Sequence, residues 1–171
     1  MDSPSDTAKP RRRDYEKILT PLEGRWKRRP TDRAKIMQDI VDAIWDGLGG
    51  KVVSWCGFYL LSADGQSLAL GPHKDKPACA SIGTHGVCGH AVSERKTQIV
   101  PDVRALGDAH IECDPANQAE IAVPVMDLDG KVFAVLDLDS TQAGAFGEED
   151  RRWLERLVRT LGQTPPAERQ G

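Results

Sequence analysis

Three cysteines stand in segments punctuated by glycine, proline and charge: Cys79 in "KPAC", Cys88 in "GVCG" and Cys113 in "HIECD". Two kinds of chemistry use such residues. With His90 or His110 they would supply a zinc ion with enough soft ligands, but the chain has none of the short C-x₂₋₄-C spacings that build zinc knuckles. Thiol redox chemistry asks for less: one accessible thiolate, a second thiol that can reach it, and a loop free enough to bring them together. Gly83, Gly86 and Gly89 give the stretch between Cys79 and Cys88 that freedom. Cys88 lies where a loop feeds a short helix, "GVCGHAVSER", so a helix dipole is expected to lower its pKa from the reference of about 8.5. Cys113 precedes Asp114-Pro115, an N-cap and N1 pair, with a similar gain opposed by the charge of Asp114. Cys56, in the middle of "SWCGFYLL", reads as a buried and inert small hydrophobe. Unpaired loop cysteines with no role are the bland alternative.

The compartment follows from what the chain lacks. Its 171 residues carry a formal net charge of −3, enough length for one domain with a proper core and too even a balance for a nucleic-acid surface. The triplet Arg11 to Arg13 reads as a solvated charge run. "MDSPSDTAKP" has no apolar stretch to act as a signal peptide, and nowhere is there a run of about 20 apolar residues to cross a bilayer. The expectation is a soluble, cytoplasmic protein with no membrane or nucleic-acid partner, in a compartment that keeps thiols reduced.

Several elements must position these thiols. Residues 1–13 and 164–171 read as disordered tails around one domain, 14–163. Asp14 to Trp26 has helical character interrupted by Pro21. With Thr31 as N-cap, Ile36, Ile40, Ile44 and Leu48 recur at i, i+4 in an amphipathic helix that Gly49-Gly50 ends. Leu154, Leu157, Val158 and Leu161 mark a closing helix. Between them, "KVVSWCGFYLL" and "SLALGP" meet at Asp64-Gly65, and "AEIAVPVMDL" and "KVFAVLDLDS" meet at Asp129-Gly130, two hairpin signatures. The fold class is α+β: an antiparallel sheet with the N- and C-terminal helices packed on one face.

Strand parity then sorts the residues by face. Val53, Trp55, Gly57 and Tyr59 share one face of the first strand, opposite Val52, Ser54, Cys56, Phe58 and Leu60. In the last strand Phe133, Val135, Asp137 and Asp139 fall together, opposite a plain apolar stripe. Taken alone, the two aspartates fit a solvated strand end. Glu120, opening the neighbouring strand one short loop after Cys113, suggests more. Three carboxylates, Trp55, Tyr59 and a thiol would line a pocket suited to a small cationic or zwitterionic ligand with a short apolar side chain.

In order along the chain, "SWCGFYLL", "LGPHKDKPAC", "GVCGHAV", "TQIVPDV", "HIECD", "EIAVPV" and "VLDLDS" resemble the free methionine-(R)-sulfoxide reductases, a GAF-domain family. The likeness runs from about Asp14 to Leu161. It implies a GAF fold, no organic cofactor or metal, and reduction of the free amino acid. By position Cys113 resembles the family's catalytic thiol, Cys79 the principal resolving thiol and Cys88 a third redox cysteine. Trp55 and Tyr59 match an aromatic wall near the methyl sulfoxide end of the substrate. Glu120, Asp137 and Asp139 match acids that hold the amino group and deliver a proton to the sulfoxide oxygen.

The implied partners are free methionine sulfoxide and a thioredoxin-type reductant, with a homodimer left open. Three positions depart from the pattern: the Cys79-to-Cys88 stretch is one residue shorter, Glu112 stands where a small residue is expected, and Cys56 replaces an aliphatic one. The alternative from another class is a GAF sensor that binds a small molecule without catalysis. The chain shows no output domain, and a binder has no need of three loop thiols.

Overall fold

The computed structural model describes residues 12–29, 31–74 and 78–167; the tail residues 1–11 and 168–171 lie outside it. Helix α1 (Arg12–Arg28) begins two residues before the expected domain start and runs through Pro21. The expected interruption does not occur. Tyr15, Ile18, Leu19, Leu22 and Trp26 are all buried along one stripe, on both sides of the proline. That packing outweighs the single backbone bond a proline removes.

Helix α2 (Arg33–Leu48) is capped by Asp32 rather than Thr31: the Asp32 carboxylate accepts from the Lys35 backbone N–H at 2.8 Å. Its isoleucine stripe is fully buried, and each such side chain stabilises the fold by roughly 1.5–3 kcal/mol. At its C-terminus Gly49 lies so close to Trp45 that an added Cβ would stand 2.4 Å from the indole. Helix α4 (Glu148–Gln163) closes the chain. Asp150 fixes its start to α1, accepting from the Tyr15 hydroxyl at 2.6 Å and from the Gly147 N–H at 2.7 Å.

Both expected hairpins are present. Strands β1 (Trp55–Leu61) and β2 (Ser67–Lys74) pair antiparallel, and their turn places Gly65 at φ 72°. Strands β5 (Ala119–Met126) and β6 (Val132–Ser140) form the second, with Gly130 at φ 79°. Two three-residue edge strands, β3 (Ser81–Gly83) and β4 (Gln98–Val100), complete an antiparallel sheet of order β3-β2-β1-β6-β5-β4. Helices α1, α2 and α4 cover the face carrying Cys56, Phe58, Ile121, Leu136 and Leu138. The opposite face packs Trp55, Tyr59, Ala122 and Val135 against Val87, Cys88 and Ala91 of a short helix, α3 (Val87–Glu94).

Parity holds inside the strands and fails at two ends. Val53 precedes β1 and packs with the helix-side core, because a backbone bridge from Gly49 to Val53 turns the chain there. Phe133 also packs on the helix side, beneath the Arg33 guanidinium at 3.8 Å. The register jumps from Val125↔Ala134 to Met126↔Val132, leaving Phe133 as the extra residue of a β-bulge. Among the described residues no helix is long and apolar enough to cross a membrane.

Candidate active site

The central strands set the floor of the site. Their register puts Trp55, Asp139 and Glu120 in one row across β1, β6 and β5, and Gly57, Asp137 and Ala122 in the next. Side chains directly opposite on one face lie about 4.5–5.5 Å apart at Cβ, so Glu120 and Asp139 are forced into contact range. The small residues beside Asp137 leave space above it. Trp55 uses that space: a Cβ on Gly57 would stand 2.6 Å from its indole and 2.7 Å from the Cβ of His73. The indole stacks against His73 and tilts toward Tyr59, with ring centroids 6.1 and 6.0 Å apart.

Two segments close over this floor. Helix α3 inserts Cys88, 3% exposed. A 3-10 segment (Val103–Ala109), broken at Gly107 with φ 56°, leads into the loop that carries His110, Ile111, Cys113 and Asn117. The Asp114-Pro115 turn forms as the sequence suggests, with the Asp114 carboxylate accepting from the Ala116 N–H at 2.9 Å. The cavity measures about 180 Å³, the scale of a small metabolite rather than of a drug-sized ligand. Trp55, Tyr59, Cys88, Cys113, Glu120, Asp137 and Asp139 all line it.

Cys79 is the one candidate not on the lining, and it is joined to one that is: Cys79 and Cys113 form a disulfide with Cα atoms 5.7 Å apart, across 34 residues of sequence. The glycine-rich stretch therefore does not close a Cys79–Cys88 pair. Cys88 and Cys56 are free thiols, both buried. Nor do the soft ligands gather as the zinc reading required, since Cys79 and Cys113 are bonded to each other and His90 is exposed on α3.

The electrostatics of the buried end are dominated by desolvation. Burial pushes the Asp137 carboxyl well above its usual range, and the charges of Glu120 and Asp139 push it further. Asp139 is raised well above its usual value by burial, then by Glu120 and Asp114. Burial also raises Glu120, against the hydrogen bond that Asp137 gives it. Three charges this close oppose one another, so the group titrates as one unit and keeps protons to higher pH than free carboxyls do.

The Cys88 thiol donates to Asp137, and its pKa is raised by burial and by the Asp137, Glu120 and Asp139 charges. The expected lowering by the α3 dipole is overturned: desolvation and three nearby acids exceed a dipole effect worth about 1 kcal/mol. Cys56, on the helix face, is pushed up to about 12 by burial. Among the described residues, two buried side-chain atoms find no hydrogen-bond partner, Asp137 Oδ1 and His110 Nδ1. Asn117 and Ile82, which also line the cavity, carry no signal in the sequence, and His110 stood out there only as an alternative zinc ligand. They lie in loops and a three-residue edge strand, where no periodicity assigns a face.

The fold and the pocket together define a GAF domain bearing a disulfide at a small-ligand cavity, and comparison with known proteins agrees. The chain matches the GAF-domain family over residues 30–164. It is 40% identical over 114 residues to the free methionine-R-sulfoxide reductase of Saccharomyces cerevisiae, a stretch covering 66% of this chain and 63% of that protein. It is 43% identical over 110 residues to the free methionine-R-sulfoxide reductase of Escherichia coli, 64% of each. The matched stretch is thus just under two thirds of either relative's length. The X-ray structure of free methionine-R-sulfoxide reductase from Neisseria meningitidis, in complex with its substrate, superimposes with a TM-score of 0.79 at 30% identity over 90% of both chains. The chain belongs to the free methionine-R-sulfoxide reductase family of GAF-domain proteins.

Proposed function

We propose that this protein reduces free L-methionine (R)-sulfoxide to methionine. The observation that carries the reading is the Cys79–Cys113 disulfide at a cavity whose floor holds Glu120, Asp137 and Asp139. An amino acid carries its own ammonium group, which a carboxylate takes. A residue within a peptide has none to offer. Trp55 and Tyr59 supply the apolar wall for the methyl sulfoxide end.

The chemistry begins from the reduced dithiol. The Cys113 thiolate attacks the sulfoxide sulfur while a protonated carboxyl of the acid group gives its proton to the oxygen. The sulfur–oxygen bond breaks, the oxygen passes to Cys113 as a sulfenic acid, and methionine leaves with the two electrons. The Cys79 thiol then attacks the Cys113 sulfur and expels water, which forms the disulfide. A thioredoxin-type dithiol opens it by exchange and returns two electrons and two protons. Glu120, Asp137 and Asp139 hold the proton that the first step consumes, and Cys113, exposed at the loop surface, stays open to both substrate and reductant.

The test is methionine release from each sulfoxide epimer with dithiothreitol as reductant. Turnover on the free (R) epimer is expected, with little on the (S) epimer or on sulfoxide within a peptide. Equal rates on the peptide would sink the reading.

A further inference from the structure

Three ligand atoms converge where the disulfide does not reach. Cys88 Sγ and one carboxylate oxygen each of Glu120 and Asp137 lie within 4.8 Å of one another, all three residues buried. A second observation points to a missing ligand at the same place. Asp137 is only 5% exposed, lines the cavity, and leaves Oδ1 with no hydrogen-bond partner. An unsatisfied buried acceptor is unfavourable, and an incoming cation would relieve it.

We propose that Cys88, Glu120 and Asp137 form an inhibitory site for a divalent cation of the zinc class, which binds in place of substrate. Ions of that class take thiolate sulfur at about 2.3 Å and carboxylate oxygen at about 2.0–2.2 Å. A triangle with sides of at most 4.8 Å closes onto such an ion with small rotamer changes. One thiolate with two carboxylates selects a borderline-soft ion over magnesium or calcium, which want oxygen alone. The Cys88 thiol proton and the proton shared by Asp137 and Glu120 leave as the metal enters.

Cys88, Glu120 and Asp137 all line the cavity, so water from it can fill the ion's fourth position. The metal site itself needs no assumption about the substrate; the competition rests on the proposed function.

The test titrates Co²⁺ into the disulfide-closed protein without added thiol, reading the sulfur-to-metal charge-transfer absorption. In that form Cys88 and Cys56 are the free thiols. The band is expected at one ion per chain, retained in Cys56→Ser and lost in Cys88→Ser. Absence of the band, or its persistence in Cys88→Ser, overturns the site. Should Cys88→Ser fail to fold, Glu120→Gln and Asp137→Asn serve instead. Each keeps the thiol and is expected to weaken Co²⁺ by at least the 10–100-fold that loss of an outer partner alone brings about, and unchanged affinity in both overturns the site. Free methionine sulfoxide is then expected to discharge the band. A band that forms and resists it leaves the metal site standing and removes the competition, and with it the placement of the substrate among these acids.

Discussion

The Tyr59 hydroxyl donates a 3.0 Å hydrogen bond to the backbone carbonyl of Cys79. Tyr59 is buried on β1 as part of the pocket's aromatic wall, and Cys79 belongs to the loop that carries the resolving sulfur in the proposed cycle. One side chain thus presents a ring to the ligand and a hydroxyl to the loop. Burial and the nearby Asp137 charge push the phenol above its usual range, so it stays a donor. With the disulfide closed, the contact holds the Cys79 backbone against the aromatic wall.

Tyr59→Phe keeps the ring and removes that anchor. A hydrogen bond worth about 0.5–1.5 kcal/mol amounts to roughly 2–10-fold in rate if it is lost on the way to disulfide closure. In a single turnover of reduced enzyme, methionine release is expected to stay within about twofold, while disulfide formation slows by that factor. Sulfenic-acid trapping by dimedone should rise correspondingly. If release slows and closure keeps pace with it, the hydroxyl serves the substrate end instead.

Gly57→Ala tests the aromatic wall from beneath. The added methyl would stand 2.6 Å from the Trp55 indole and 2.7 Å from the Cβ of His73, closer than any real contact, so the indole must lift from its seat. Overpacking of this kind destabilises by about 1–3 kcal/mol. The expected signature is a raised KM with a smaller loss of kcat, because in the proposed cycle the wall binds the substrate and takes no part in proton transfer. An unchanged KM would remove Trp55 from the substrate's surroundings.

Strand parity was enough to place Asp137, Asp139, Trp55 and Tyr59 on one face, because the middles of β1 and β6 keep an unbroken period of two. It failed at Phe133, where a bulge adds a residue, and at Val53, which precedes the strand. What closes over that face was legible only through the family resemblance, which gave Cys113 and Cys79 their roles, and not from local pattern. The two bonded cysteines are 34 residues apart, and no local pattern reports that distant loops meet. Cys88 shows the limit within a single residue: its place at a helix start could be read, its burial against three acids could not, and burial reversed the direction of its pKa. The N-cap misplaced by one residue has a plainer cause, since Thr31 and Asp32 both cap well and only tertiary packing chooses between them.

The acid group sets a stability cost that pH should reveal. A carboxyl whose pKa is raised on folding binds its proton more tightly in the native state, so its stabilising contribution is complete below the unfolded value and is lost as pH rises through the folded one. For Asp137 the loss begins above its ordinary value of 3.8 and extends upward. Asp137→Asn, which never ionises, is expected to be more stable than the wild type at pH 8, by on the order of 1 kcal/mol or about 2–4 °C in Tm for a domain of this length. The advantage should shrink as pH falls toward 5. Its turnover should drop by about 10²–10⁴, the usual loss when one general acid is removed. Thermal melts at several pH values check the sign; a wild type that stays the more stable at pH 8 contradicts a buried, proton-holding Asp137.

The three candidate redox thiols separate in a single turnover. Cys113→Ser is expected to release no methionine, because a serine hydroxyl near neutral pH offers neither a thiolate's nucleophilicity nor a route to a sulfenic acid. Cys79→Ser should release about one equivalent and stop at the sulfenic acid, unless added thiol relieves it. Cys88→Ser should still release methionine and still close the Cys79–Cys113 disulfide. Its sulfur is held protonated by burial and by Asp137, and so is a poor nucleophile. Losing the thiol's bond to Asp137 would show as a slower first step rather than as a missing disulfide. Quenched-flow methionine assays read beside mass-mapped disulfides distinguish the three. Normal release from Cys113→Ser with none from Cys88→Ser would transfer the nucleophile's part to the thiol on α3, and would mean that the acids around Cys88 take up its proton instead of keeping it in place.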